Sequence, residues 1–132
     1  DRGTLIKVDY SLLLTFVGFF IFIGNMGRMP AFCDFLQKII GGREVMTAVI
    51  ASQVISNVPA ALLLSGFTEN ITALIIGTNL GGLGTLIASM ASLISYKQVA
   101  RQIPGEKKKY FGWFTIANIV FLMILVLENC LL

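Results

Sequence analysis

Two short stretches carry residues that can bind a small ion without a formal charge of their own. One is Ser56-Asn57-Val58-Pro59, with Ser52 one turn upstream; the other runs from Gly77 to Gly84 as Gly-Thr-Asn-Leu-Gly-Gly-Leu-Gly, followed by Thr85. Proline has no N–H and disfavours helix at the residue before it, while Ser or Asn just ahead of a Pro is a helix-start signature. Each glycine in a helix costs roughly 1 kcal/mol relative to alanine, and the second stretch holds four. Both stretches therefore read as interruptions of helices. An interrupted helix leaves carbonyls free at the end of its first half and N–H groups free at the start of its second. The carbonyls suit a small cation such as Na⁺, and the N–H end, with its partial positive charge, suits an anion. Ser52, Ser56, Asn57, Thr78, Asn79 and Thr85 add neutral polar atoms to that set.

Taken singly, each stretch has a blander explanation. A lone proline kink in a membrane helix is mostly structural, and a lone glycine patch usually serves helix packing. Two polar breaks in consecutive hydrophobic segments favour a binding role. Other chemistries find no residues to perform them. The chain has no histidine, which removes Ser-His and Cys-His catalysis and His-ligated zinc or haem. Cys33 and Cys130 have no metal-like spacing. A G-x-x-x-x-G-K-[ST] loop is absent, and Gly77–Gly84 lies inside a hydrophobic run rather than after a soluble strand, so neither phosphate fingerprint applies. The expectation is a non-enzyme without a cofactor.

The elements that must position these breaks are hydrophobic. Of the 132 residues 56% are apolar and only 13% charged, and mean hydropathy is +0.85. Soluble domains carry about 25% charged residues, so a soluble globule and a disordered chain are both excluded. All the charges fall outside four runs, 11–27, 45–68, 70–96 and 110–127, of 17, 24, 27 and 18 residues. A membrane-crossing helix takes about 20 apolar residues, and a charge at mid-bilayer costs about 2.5–3.5 kcal/mol.

Residues 11–27 read as a crossing helix. Residues 28–43 place Phe32, Phe35, Leu36 and Ile39 near one helical face and Asp34 and Lys38 towards another, the pattern of a short helix lying at the membrane surface. The run 45–68, within segment 44–68, divides into half-helices of about 45–56 and 59–67. Neither half spans a bilayer core of about 30 Å; together they form a kinked crossing or a hairpin that enters and leaves by one side. The segment 70–96 reads as half-helix, unwound loop and half-helix, with Thr85 or a neighbour capping the second half. Residues 110–130 read as a plain crossing, anchored by Tyr110 and Trp113.

Net charge is +3, and the basic residues are not interleaved with exposed aromatics, which argues against nucleic acid. Five of the ten basic residues lie between Lys97 and Lys109. The positive-inside rule puts 97–109 in the cytoplasm and the C-terminus outside a multi-pass cell-membrane protein. With a hairpin at 44–68, seven basic residues fall inside, Arg2 and Lys7 among them, against three outside; a full crossing gives eight against two. Lys107–Lys109 read chiefly as an orientation signal, with binding of anionic lipid headgroups the minor alternative.

Ser52–Ser65 (SQVISNVPAALLLS) followed by Gly77–Lys97 (GTNLGGLGTLIASMASLISYK) resembles the ion transporter superfamily, which includes the divalent anion:sodium symporters and the citrate and arsenite permeases. The resemblance implies a secondary transporter working by an elevator movement, usually as a homodimer, with two inverted repeats. This chain would form the C-terminal part of the second repeat and would need the first to complete its site. Ser56-Asn57 would sit at the tip of a re-entrant hairpin facing the loop Gly77–Gly84. Ser56, Asn57, Thr78, Asn79, Gly82 and Thr85 would touch a small anionic substrate, and Ser52, Ser56, Asn57 and Gly77 would hold Na⁺. Dicarboxylate symporters often have Thr after Ser-Asn where this chain has Val58; the lost hydroxyl leaves arsenite, sulfate or another anion open, as well as H⁺ coupling.

The expected fold is all-α and integral to the membrane: transmembrane helices with a re-entrant helical hairpin and one discontinuous helix. The expected function is Na⁺-coupled anion transport. The competing expectation is a non-transporting accessory membrane subunit in which the breaks serve packing.

Overall fold

The computed structural model describes residues 10–131, all of them in helices, turns and short connections. Arg2 and Lys7, which enter the charge count, lie outside the described residues. Helix α1 (Tyr10–Met26) is apolar all round and exposes Leu14 and Ile21. It meets α2 (Pro30–Ile40) at a bend of 96°. Pro30 sits at the start of α2, where a missing N–H is harmless. Leu36 and Ile40 are buried, whereas Asp34 and Lys38 are exposed, so α2 is amphipathic. It ends where the Gly41 N–H returns to the Gln37 carbonyl at 3.1 Å, and Gly42 turns the chain with a φ of +77°.

Helix α3 (Glu44–Ile55) carries Glu44 in its first turn, at the positive end of its own dipole. It stops at Ser56, and α4 (Asn57–Ser65) begins at once. The two fold back on each other. Ala48, two turns before the break, shares one buried cluster with Leu63 and Leu64, two turns after it. In a continuous helix Ala48 and Leu63 would stand more than about 20 Å apart. Leu36, Ile40 and Leu74 complete the cluster, so the core sits where α2, α3, α4 and α5 meet.

Helix α5 (Ile71–Gly81) is capped by the Asn70 carboxamide, which accepts from the Ala73 N–H at 3.1 Å. It packs most extensively on α3. A Cβ on Gly77 would lie 2.6 Å from the Val45 carbonyl oxygen and 2.7 Å from the Ala48 Cβ; on Gly81 it would lie 2.6 Å from the Ser52 Oγ. These glycines, one turn apart, let the two backbones touch. That is why the helix runs on through Gly77 instead of unwinding there: close packing offsets the poor helix propensity. The irregular stretch is 82–89, shifted towards the C-terminus from the expected 77–84.

Helix α6 (Met90–Gln102) then begins, capped by Ser89, whose Oγ accepts from the Ala91 N–H at 3.2 Å. Thr85 is not the cap. A short 3₁₀ turn (Pro104–Glu106) leads into α7 (Lys107–Leu131), which spans roughly 37 Å at 1.5 Å per residue. Together the turn and α7 form a helix long and apolar enough to cross a membrane. The hydroxyls of Ser95 and Tyr110 join α6 to α7 at 2.6 Å.

Candidate functional site

The break at Ser56 and the break at 82–89 lie against each other. Ser56 has a φ of +75° and ψ of 152°, and it is the one non-glycine residue with positive φ among those described. That region is essentially reserved for glycine and costs about 1–3 kcal/mol for any other residue. The strain is held by what the turn reaches. The Asn57 main-chain N–H donates to the Ala88 carbonyl at 2.9 Å, and the buried Ser56 hydroxyl approaches the same oxygen at 3.5 Å. The positive end of α4 is thus met by a backbone carbonyl of the other break.

The opposite polarity is matched in the same way. The last carbonyl of α5 and one just beyond it are met by Gln53, a residue that the sequence pattern does not single out. Its Nε2 donates to the Gly81 carbonyl at 2.9 Å and the Leu83 carbonyl at 2.8 Å, with the Val49 carbonyl further off at 3.4 Å. Its Oε1 accepts the Thr85 N–H at 2.9 Å, and its main-chain carbonyl accepts from the Thr85 hydroxyl at 3.4 Å. Gly84 has a φ of +105°, and a Cβ there would lie 2.5 Å from Gln53 Oε1. Glycine at 84 therefore serves both the backbone conformation and the approach of Gln53. The available clue was chemical: an amide in an uncharged apolar run must find partners for two N–H groups and a carbonyl.

The expected site residues separate into two sets. Asn57 reaches the second break: its Nδ2 lies 3.1 Å from where a Gly82 Cβ would be. Gly82 in turn donates to the carbonyls of Thr78 and Asn79 at 3.1 and 3.2 Å. The side chains of Asn57 and Asn79 make no hydrogen bond to any described residue, whereas those of Asn25 and Asn118 each return to their own helix. The Asn57 carboxamide and Gly82 thus meet at the end of α5 beside the Asn79 main-chain carbonyl, whereas the Asn79 side chain is exposed.

Ser52, Thr78 and Gly77 are engaged elsewhere. The fully buried Ser52 hydroxyl donates to the Ala48 carbonyl at 2.7 Å, and the Thr78 hydroxyl reaches the Leu74 carbonyl at 2.9 Å. Gly77 lies within α5, against Val45 and Ala48, four residues before the helix ends. On the far side of Ser56 an apolar cavity of about 160 Å³ is lined by Phe16, Phe19, Pro59, Ile87, Met90 and Leu93.

Comparison with known proteins finds two relatives, one named as a transporter and one as an inner membrane protein. The chain is 36% identical over 121 residues to "Uncharacterized transporter MJ0456" of Methanocaldococcus jannaschii, covering 92% of this chain and 33% of that protein. It is 35% identical over 103 residues to "Inner membrane protein YbiR" of Escherichia coli, covering 73% of this chain and 27% of that protein. The chain is homologous to both and spans about a third or less of the length of either. No protein-family profile matches it, and no solved structure matches it.

Proposed function

We propose that this chain forms one half of the solute site of a secondary transporter that moves an anion across the cell membrane, coupled to Na⁺. The observation that carries the proposal is the mutual contact of two helix breaks, joined through Asn57 N–H and the Ala88 carbonyl, with the Asn57 carboxamide left unbonded against Gly82. Unwound backbone at membrane depth is costly unless it is packed in protein or lines a cavity. In this reading α3 and α4 form a re-entrant hairpin whose tip is Ser56-Asn57, and α5 with α6 forms a discontinuous helix. Asn57, Asn79 and the carbonyls around Gly82 offer neutral oxygens to a cation and amide N–H groups to an anion. A second set of breaks, from the remainder of a two-repeat protein, supplies the other half, and the intact protein works as an elevator-type homodimer. The homology to a protein named as a transporter supports the same reading.

A second reading has its own observation in favour. Much of the polar capacity at the breaks is used internally: Ala88 fills the start of α4, Gln53 fills the end of α5, and Ser52 and Thr78 bond their own helices. An accessory membrane subunit, with breaks that serve packing, would look like this. Uptake decides between them. The intact protein is reconstituted into liposomes with an inward Na⁺ gradient and offered labelled sulfate, citrate and arsenite. Uptake of one of these that Asn57→Ala abolishes, with expression and melting behaviour retained, supports transport. Wild-type rates in Asn57→Ala would refute the assignment.

A further inference from the structure

We infer that Gln53 is a positioning residue: its carboxamide clamps the 82–89 segment to the α3–α4 hairpin and decides which carbonyls of α5 stay open to a ligand. The inference rests on the transport reading for its consequence, though not for its geometry.

Gln53 uses both ends of one planar group. Its N–H groups meet the carbonyls of Gly81 and Leu83, and its oxygen meets the Thr85 N–H. These partners lie on both sides of Gly82 and Gly84, so one side chain spans the whole start of the unwound segment. Thr85 hydroxyl to Gln53 carbonyl is a further tie between the same two residues. No other side chain of this length donates and accepts at once in its ordinary ionisation state. A lysine donates only, a carboxylate accepts only, and a methionine offers only a weakly accepting sulfur.

The clamp also has an electrostatic consequence. The negative end of a helix is where a bare cation would settle. Here a neutral amide donor already occupies the Gly81 and Leu83 carbonyls, so these two oxygens are withdrawn from the ligand. Coordination then falls to the Asn57 carboxamide and the remaining carbonyls next to Gly82. The charge carried by these elements is Glu44, nine residues before Gln53 at the other end of α3 and about 13 Å along the helix; α4, α5 and 82–89 carry none.

Gln53→Glu tests polarity with little change of shape. A protonated carboxyl can still donate to one carbonyl and accept from Thr85. The carboxylate faces the carbonyls of Gly81 and Leu83 with no proton to give. Relative to wild type at each pH, the melting temperature of Gln53→Glu in the intact protein should fall as pH rises from about 5 to about 8. Uptake of labelled sulfate, citrate or arsenite should fall about tenfold across the same window. Gln53→Met, which fills the space without polarity, should be impaired at every pH. A Gln53→Glu profile that superimposes on wild type, or wild-type uptake and melting in Gln53→Met, would overturn the inference.

Hydrogen exchange on the wild-type protein supplies a measurement that needs no variant to fold. The Thr85 N–H should exchange more slowly than those of Leu86 and Ile87, and equal or faster exchange would also overturn the clamp. Failure of the transport reading is distinguishable. If the wild type takes up none of the three probes while Thr85 is protected and Gln53→Glu melts lower as pH rises, the clamp stands and transport falls.

Discussion

The main-chain N–H of Asn57 and the carbonyl oxygen of Ala88 lie 2.9 Å apart, which puts the first residue of α4 in contact with the irregular stretch between α5 and α6. Each break satisfies the backbone of the other. Asn57 contributes to this through its main chain, which alanine preserves, while its carboxamide is left unbonded. Asn57→Ala is therefore expected to keep the fold, with a melting temperature close to wild type, and to lose uptake. Measuring both on the same preparation checks the separation; a large drop in melting temperature would assign Asn57 to packing instead.

Ser56 pays for the turn in backbone strain. Glycine adopts a φ of +75° with a ψ of 152° freely, so Ser56→Gly removes a cost of about 1–3 kcal/mol. It also removes a 3.5 Å hydroxyl contact, which at that length is weak. The expected net result is a higher melting temperature. Ser56→Ala keeps the strain and loses the hydroxyl, so it should melt at or below wild type. A Ser56→Gly protein less stable than Ser56→Ala would contradict the strain account.

The two breaks differed in how legible they were. Pro59 marks the first, because a residue without an N–H cannot continue the helix of α3, and the structure turns three residues before it. The glycine-rich stretch marks the second less sharply. Glycine weakens a helix and also lets helices touch, and composition does not separate these roles. Gly77 and Gly81 pack on α3, Gly82 admits Asn57, and Gly84 alone has a positive φ within the stretch. Unwinding is therefore displaced to 82–89. Gln53 was illegible for another reason: its partners are main-chain atoms about thirty residues away, and no side-chain pattern announces a backbone carbonyl. The fold-back of α3 on α4 likewise depends on Ala48 meeting Leu63 and Leu64, a tertiary contact that the proline leaves undetermined.

The packing glycines can be told from the permissive ones by substitution. A Cβ on Gly77 meets Val45 main-chain atoms at 2.6 and 2.8 Å, and backbone cannot swing aside as a flexible side chain can. Gly77→Ala should destabilise by about 1–3 kcal/mol, the usual cost of overpacking. Gly18 and Gly24 in α1 have nothing within 4 Å of an added Cβ. Alanine there should be neutral or stabilise by up to about 1 kcal/mol through helix propensity. Thermal melts of the three variants check the contrast, and equal effects at Gly77 and Gly18 would refute the close approach of α3 and α5.

Orientation in the membrane can be read from the thiol at the far end of α7. Lys107, Lys108 and Lys109 open this helix, and the exposed Cys130 lies near its other end. If the lysines face the cytoplasm, α7 carries Cys130 to the outer surface. A membrane-impermeant maleimide added to intact cells should then label Cys130, and Cys130→Ser should abolish the part of the signal that Cys33→Ser leaves in place. The Lys109–Glu106 pair is exposed and 4.0 Å long, so replacing the three lysines with glutamine should change stability little. On a cytoplasmic placement the same replacement would remove the charge that favours that side, so external labelling of Cys130 should fall. Undiminished labelling after neutralisation would mean that other parts of the protein, and not these lysines, set the orientation of α7.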